Sequence, residues 1–126
     1  MLRKFNPEGG SALPFYSHGA EVSGQARLLF VSGQVGVGPD GQLAEGIAEQ
    51  TRIAVENLQR VLGAADMTVA DVAKFNFYLT DPANFDGFAR AAAALIASPP
   101  AATTLIYVKA LAEPRMLVEV EALAAK

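Results

Sequence analysis

TTLIYVKALAEPRMLVEVEALA, residues 103–124, is the stretch that decides the fold. Two strand-like runs flank a turn within it, and the second run carries Glu119 and Glu121. Side chains two residues apart on a strand point the same way at roughly 6–7 Å, so we predict two carboxylates side by side on one sheet face. Because burial of such a pair is costly, that face must meet water, a cation or a ligand. The run from Thr103 to Val108 ends in a nearly unbroken apolar stretch, which predicts a strand covered on both faces.

The composition predicts one compact domain that spans residues 1–126. No linker rich in proline, glycine or serine divides the chain. Hydrophobic residues make up 52% of the sequence, which is enough for a core and more than a monomer of this length is expected to hide. We therefore expect an oligomer.

The charge balance argues against a nucleic-acid partner. Ten lysines and arginines oppose thirteen aspartates and glutamates, which gives a net charge of -3. A protein that binds the phosphate backbone needs clustered positive charge, and Arg3 with Lys4 is the only adjacent basic pair. Cysteine is absent, which excludes disulfides and thiol chemistry and suits a reducing compartment.

No segment of the sequence predicts a membrane partner. The N-terminal MLRKFNPEGG carries charge without an apolar segment behind it, so no signal peptide is visible. The longest apolar run, residues 91–97, is far too short to span a bilayer. We expect a cytoplasmic protein.

Hydrophobic periodicity predicts the element order strand, strand, helix, strand, helix, strand, strand. This order indicates an α+β domain with one mixed sheet and both helices on one face. The other sheet face then needs a cover, for which another subunit is the simplest candidate. The segments before the 103–124 tract are a hairpin of residues 20–22 and 27–34, an amphipathic helix over 44–63, a strand over 74–79, and a second helix from Asp81-Pro82 that ends before Pro99.

The two glutamates fit two different interpretations. Glu119 and Glu121 fit general acid/base chemistry, because a neighbouring like charge or an apolar site raises the proton affinity of a carboxyl group. They also fit a solvated strand face that discourages edge pairing, and the residues alone favour this second interpretation, because perturbed carboxylates also arise in structural networks.

Other local motifs do not name a reaction. His18 is the only histidine, so two-histidine metal motifs are excluded, and no G-x-S-x-G elbow supports a serine–histidine pair. Glycines 33, 36 and 38 follow a strand without the order of a phosphate-binding fingerprint. Tyr16 and Tyr107 fit packing residues with a wet tip as well as hydrogen-bond donors.

Several patterns taken together resemble the RidA/YjgF family, also described as reactive intermediate deaminases. They run in the family's order and cover nearly the whole chain. The matching segments are Tyr16-Ser17-His18-Gly19, Val31-Ser32-Gly33-Gln34-Val35, Gln50-Thr51 with Asn57-Leu58, Asp71-Val72-Ala73-Lys74, Asp81 with Phe85, and Leu117-Val118-Glu119-Val120-Glu121-Ala122. The resemblance implies a chorismate-mutase-like α+β fold that forms homotrimers through its sheets, with a small-molecule pocket at each subunit interface.

The resemblance also implies roles for individual residues. Family deaminases hydrolyse enamines and imines without a metal or an organic cofactor. An arginine clamps the substrate carboxylate, a glutamate handles the water, and a tyrosine and a serine line the pocket. By motif, the catalytic glutamate resembles Glu119, the tyrosine Tyr16 and the serine Ser32, and we expect Thr103 and Thr104 to line the same pocket.

Two positions depart from the family pattern. Thr103 stands where the family has its arginine, and Ala89 stands where it has a pocket asparagine. A guanidinium offers a carboxylate two charge-assisted bonds, each worth roughly 1.5–3 kcal/mol, which a threonine hydroxyl does not replace. Loss of one such bond weakens binding by roughly ten- to a hundredfold, so the usual amino-acid-derived imine is not the expected substrate. Lys109, Arg115 or a cation from a neighbouring subunit is the alternative source of charge.

Three functional hypotheses follow. The first is a trimer whose interface pocket binds a small metabolite and hydrolyses a C=N or enamine bond, with Glu119 activating water. The second, motivated by the missing arginine, is a non-catalytic metabolite-binding or regulatory module. The third is ribonuclease activity or translation inhibition, attached to some family members, which the acidic charge balance disfavours.

Overall fold

The computed structural model describes all residues from Met1 to Lys126 and divides the strands between two sheets. A two-stranded antiparallel ribbon contains β1 (Leu2–Phe5) and β2 (Gly19–Val22). The main sheet contains β3 (Leu28–Gln34), β4 (Val72–Leu79), β5 (Ala102–Tyr107) and β6 (Val118–Ala125). The α-helices are α1 (Ile47–Ala64) and α2 (Phe85–Ala91), and short 3-10 helices cover Val69–Asp71, Pro82–Asn84 and Ala93–Leu95.

The main sheet is mixed, with the strand order β3-β6-β4-β5. The C-terminal strand β6 lies antiparallel between β3 and β4, whereas β4 and β5 run parallel. A parallel pair needs a crossover connection, which α2 and its flanking 3-10 turns supply. The register places Glu119 opposite Tyr78 and Glu121 opposite Asn76.

Both α-helices cover the same face of the main sheet. Phe77 of β4 and Phe88 of α2 meet edge to face with 5.1 Å between ring centroids. Leu58 and Leu62 of α1 are completely buried. These side chains belong to one contiguous core of 18 buried residues, so the predicted α+β architecture, with a mixed sheet and both helices on one face, is confirmed.

The buried amide side chain of Gln50 in α1 links two loop segments, the one before α1 and the one before β6. Gln50 is buried and donates to the carbonyl oxygens of Ala44 and Arg115, both at 3.0 Å. Its own oxygen accepts from the backbone N–H of Leu117 at 2.8 Å. Asn57, two turns further along α1, donates to two backbone carbonyls in the loop after β3. These bonds position the start of β6 and the end of β3 relative to the helix.

The N-terminal ribbon is attached to the rest of the fold by Lys4. Its ammonium group donates to the carbonyl oxygens of Ala70 at 2.9 Å and Pro99 at 3.3 Å. Burial lowers the pKa of Lys4, and the nearby Asp71 carboxylate partly opposes that effect. The ribbon therefore lies against the loop that precedes β4 and the loop that precedes β5.

Strand pairing differs from the sequence prediction in two places. The hairpin of residues 20–22 with 27–34 is wrong: β2 pairs with the unanticipated β1, and β3 pairs with β6. Pairing with the eight-residue, apolar β6 buries more of β3 than pairing with the four-residue β2 would. Strand β2 therefore pairs with the N-terminal strand β1. In addition, β4 separates β5 from β6, so the two runs of the 103–124 tract are not neighbours.

Strand β5 is not covered on both faces within the chain. It is an edge strand, and Ile106 and Tyr107 are each 45% exposed. The second helix is also shorter than predicted. Its α-helical part has only seven residues and ends at Ala92, which has φ -93° and ψ 6°, and the rest of the predicted span contains two short 3-10 helices.

The sheet face opposite the helices, which we call the open face, has no cover within the chain. Leu28 and Phe30 of β3 are 53% and 72% exposed there. Strand alternation places six polar side chains on the same face, along β4, β5 and β6. They are Lys74, Asn76, Tyr78, Thr104, Glu119 and Glu121.

None of the helices combines the length and the apolar character that crossing a membrane requires.

Candidate functional site

A cleft of about 370 Å³ opens on the helix side of the main sheet, between α2 and the strands β4 and β5. Twelve of its 13 lining residues are hydrophobic and none is charged, so we call it the apolar cleft. The lining residues are Phe15, Tyr16, Phe75, Phe77, Phe85, Phe88, Ala89, Ala92, Leu95, Ile96, Ala101, Thr103 and Leu105.

Two of the predicted site residues, Tyr16 and Thr103, line the apolar cleft. Thr103 lies opposite Phe75 in the β4–β5 register and so faces the helix side, where its hydroxyl donates to the carbonyl of Ala101 at 3.2 Å. Tyr16 reaches the cleft because the chain before β2 runs beside β5. The neighbouring Ser17 is buried there and donates its backbone N–H to the Ala101 carbonyl at 3.0 Å.

His18 holds the loop that carries Tyr16. Its Nε2 lies 2.5 Å from the carbonyl oxygen of Ser11, and its backbone N–H donates to the Asn6 side chain at 2.9 Å. The His18 and Tyr16 rings meet edge to face with 5.5 Å between centroids. His18 thus orients Tyr16 from outside the cleft lining. The chain contains no group of three or more histidine, aspartate or glutamate side chains placed to hold a metal ion.

Glu119 and Glu121 both lie half-buried on the open face, as predicted, but their side chains diverge. The Tyr78 hydroxyl on β4 donates to Glu121. This hydrogen bond raises the pKa of Tyr78, and burial and the charges of the two glutamates add to the effect. Glu119 leans the other way, over Gly33 of β3. None of the four ion pairs in the chain involves either glutamate, so the fold engages Glu121 through Tyr78 and leaves Glu119 without an ion-pair partner.

Ser32 and Thr104 also belong to the open face. Ser32 follows the buried Val31 on β3, so alternation up to the bulge between Val31 and Gln34 turns it to the open face, where it is exposed next to the glycine that Glu119 covers. The Thr104 hydroxyl accepts from Nζ of Lys74 at 2.7 Å. Adjacent residues of a strand point to opposite faces, so Thr104 and Thr103 lie on different sides of the sheet.

The structure therefore divides the five predicted site residues into two groups. Tyr16 and Thr103 belong to the apolar cleft, whereas Ser32, Thr104 and Glu119 belong to the open face. A single chain does not bring the two groups together.

Neither cation considered as a substitute for the missing arginine lines the cleft. Arg115 has a 78% exposed side chain and pairs with Glu113 at 2.9 Å. This hydrogen-bonded pair raises the pKa of Arg115. Lys109 is exposed beyond the end of β5. The cleft of one chain thus offers no positive charge to a substrate carboxylate.

Several residues that shape the site were missed in the sequence. In the sequence, Tyr78 is one of the polar residues of an alternating strand. Only the structure shows that it lies opposite Glu119 and that its hydroxyl donates to Glu121. Gly33 reads as part of a glycine-rich loop, although it leaves space for Glu119. The alternation of Phe75 with Phe77 does signal an apolar surface, but nothing local shows that part of that surface stays open as a cleft.

Known proteins share both the sequence and the fold. Residues 11–126 match the family model described as Endoribonuclease L-PSP. The chain is 36% identical over 102 residues to Protein mmf2, mitochondrial, of Schizosaccharomyces pombe, covering 79% of this chain and 80% of that protein. It is 37% identical over 79 residues to Protein HMF1 of Saccharomyces cerevisiae, covering 62% of this chain and only 59% of the relative.

Two solved structures extend the likeness to the whole chain. YyfB from Yersinia pestis, a protein of unknown function of the conserved Rid protein family, superposes with a TM-score of 0.87 at 37% identity, covering 99% of this chain and 98% of that one. RidA from the Antarctic bacterium Psychrobacter sp. PAMC 21119 superposes with a TM-score of 0.74 at 29% identity, covering 98% of this chain and 94% of that one.

Proposed function

The chain belongs to the Endoribonuclease L-PSP family, the RidA/YjgF family, and from this membership we propose that it is an oligomeric hydrolase of C=N or enamine bonds in small molecules. Its active site combines the apolar cleft of one subunit with Glu119 and Ser32 of a neighbouring subunit. The observation that carries the proposal is the division of the site residues between two faces of the sheet, together with a glutamate that the fold leaves unengaged.

The open face supports an interface between subunits. Phe30 and Leu28 are large apolar side chains that are 72% and 53% exposed on that face, and burial of each would stabilise an assembly by roughly 1.5–3 kcal/mol. The family resemblance implies a homotrimer that buries this face. Such an assembly supplies the second group of site residues that the cleft of a single chain lacks.

The proposed reaction converts an imine and water into a carbonyl compound and ammonia. The Glu119 carboxylate takes a proton from water as the water oxygen attacks the carbon of the C=N bond. The C=N electron pair moves to nitrogen, which takes the proton from the Glu119 carboxyl group, and this gives a carbinolamine and restores the carboxylate. Proton transfer from the new hydroxyl to nitrogen, through Glu119, then breaks the C–N bond and releases ammonia. An enamine enters the same route after protonation at carbon.

The substrate lacks the carboxylate of the usual amino-acid-derived imines. Thr103 occupies the arginine position, and no charged residue lines the cleft. A carboxylate that entered it would lose its hydration without gaining a counter-charge, which is strongly unfavourable.

Ammonia release from freshly generated imines tests this function. We expect acceleration above the uncatalysed rate for carboxylate-free imines, made from primary amines by an amine oxidase, and none for imines of neutral or acidic amino acids. Glu119→Gln should lose at least a hundredfold of the acceleration, while Glu121→Gln, the matched control on the same strand face, should lose less than tenfold. If no imine of either class were hydrolysed faster than in buffer, the chain would be the non-catalytic binding module.

RNA is not the proposed substrate, although the family model is described by a ribonuclease name. The net charge is -3, and three of the ten lysines and arginines, Arg3, Arg52 and Arg115, are already paired with carboxylates, a balance that disfavours contacts with a phosphate backbone. We propose a cytoplasmic enzyme that uses neither a metal nor an organic cofactor, as the family resemblance implies.

A further inference from the structure

We propose that the apolar cleft binds an uncharged aromatic ring of the substrate, so that the preferred substrates are imines or enamines with a phenyl- or indole-sized group and no carboxylate. The reaction part of this inference rests on the proposed function. The binding part does not, because ring binding is measurable without any turnover.

The size and lining of the cleft match such a group. Its volume of about 370 Å³ lies within the roughly 300–1,000 Å³ that is usual for ligand pockets, and a dry apolar cavity of roughly 150 Å³ is already large enough for benzene. The lining contains no charge and two hydroxyl-bearing side chains, Tyr16 and Thr103. The cleft therefore has space for a ring and for one polar atom attached to it.

Five phenylalanines line the cleft, three of them almost fully buried against one another and two of them exposed. Phe75 and Phe77 are stacked with 5.3 Å between centroids, and Phe77 meets Phe88 edge to face at 5.1 Å. At its mouth, Phe15 and Phe85 are 64% and 43% exposed. Aromatic pairs gain energy beyond simple burial when rings are offset or perpendicular. A ligand ring would complete this cluster and cover the two exposed side chains.

The Thr103 hydroxyl selects for a donor on the ligand. Its proton is already donated to the Ala101 carbonyl at 3.2 Å, so the oxygen offers lone pairs to the cleft. An imine or enamine N–H can donate to them, whereas a carboxylate has only acceptors. The hydroxyl that replaces the family's arginine thus disfavours an anion and fits a nitrogen with a proton.

Binding of three small probes to the wild-type assembly tests this inference. Benzamide carries a ring and an N–H donor, benzoate has nearly the same shape with a negative charge, and acetamide has the donor without the ring. By isothermal titration calorimetry we expect benzamide to bind at least tenfold more tightly than benzoate or acetamide. Thr103→Arg should reverse the preference between benzamide and benzoate.

A matched pair of alanine variants localises the binding. Ala89 lines the cleft and is exposed, so Ala89→Phe fills the cleft from its rim and should weaken benzamide binding at least tenfold. Ala93 is exposed and lies outside the lining, so Ala93→Phe should leave benzamide binding unchanged. Circular dichroism confirms that each variant is folded before its affinity is compared.

Three outcomes would overturn the inference: benzoate binding as tightly as benzamide, benzamide binding that Ala89→Phe leaves intact, or no binding of benzamide at all. Glu119-dependent hydrolysis of aliphatic imines without benzamide binding would reject the ring site and keep the proposed function. Benzamide binding without hydrolysis of any imine would keep the ring site and reject the proposed function.

Discussion

Gly33 and Glu119 share a space in which a side chain at residue 33 does not fit, since a Cβ there would lie 2.6 Å from the Glu119 carboxyl carbon. Because Gly33 lacks a Cβ, the Glu119 side chain lies across β3 instead of turning towards β4. There it avoids the hydrogen bond that engages Glu121 with Tyr78. The position of the candidate catalytic carboxylate therefore depends on a glycine at the penultimate position of β3, far from Glu119 in the sequence.

Gly33→Ala should displace the Glu119 carboxylate with little loss of stability. The atoms that a new Cβ would meet are the end of a flexible side chain, so we expect less than about 1 kcal/mol of destabilisation and at least a tenfold slower release of ammonia. Gly63→Ala is the control: nothing lies within 4 Å of its Cβ position, and it should add about 0.5–1 kcal/mol of stability without changing the rate. Full activity in Gly33→Ala would contradict the role assigned to the glycine.

Tyr78→Phe should change how stability depends on pH. The pKa of Tyr78 is raised in the folded state by the hydrogen bond to Glu121, so its contribution is complete below the unfolded tyrosine pKa of about 10 and is lost as the pH rises through the higher folded value. Urea unfolding of both proteins from pH 7 to 11 measures this. The wild type should be the more stable protein by a constant margin up to about pH 9, and the margin should shrink above about pH 10; a flat margin to pH 11 would rule the linkage out.

Gln50→Leu should be among the most damaging single changes outside the apolar core. It removes all three hydrogen bonds of a buried side chain and leaves the Leu117 N–H without its acceptor, so we expect a loss of about 3 kcal/mol of unfolding free energy. Gln59→Leu, the same substitution at an exposed position of α1, should change it by less than about 0.5 kcal/mol. Urea unfolding at one fixed protein concentration compares them, and equal effects would show that Gln50 is not a special contact.

Phe30→Glu should break up the assembly. Phe30 is 72% exposed on the open face, and a charge there would have to be buried in a subunit interface. Light scattering should give the wild type three times the subunit mass of 13.2 kDa and the variant a mass near that of one subunit. Ala93→Glu, on the helix side, should stay trimeric. A wild-type mass equal to one subunit would end the interface model of the site.

Much of the fold was predictable because its signals are local. The alternation of Phe75, Phe77 and Leu79, and the helical spacing along α1, indicate which side chains are buried without knowledge of their partners. Strand pairing was harder to predict, because β1 has four residues and its partner follows after a long loop. Pairing depends on which edges remain free once the larger strands have met, and this competition is not local.

The membership of the candidate site stays a prediction from motif resemblance, and its arrangement could not be predicted from the sequence. Motif resemblance identified Glu119, Tyr16 and Ser32, and the structure places Glu119 and Tyr16 on opposite sides of the sheet. Strand parity alone also separates Thr103 from Thr104, so that separation was available from the sequence. The divergence of the two glutamates depends on side chains contributed by β3 and β4, which no spacing within β6 reveals.

The β1–β2 ribbon has an evolutionary consequence. It closes residues 6–18 into a loop whose ends are held together by their own strands and by the Lys4 anchor. Ser17 ties the C-terminal end of that loop to β5, and the loop carries Tyr16 and Phe15 to the mouth of the cleft. Substitutions between these attachments can therefore alter ligand preference without changing how the strands of the main sheet pair.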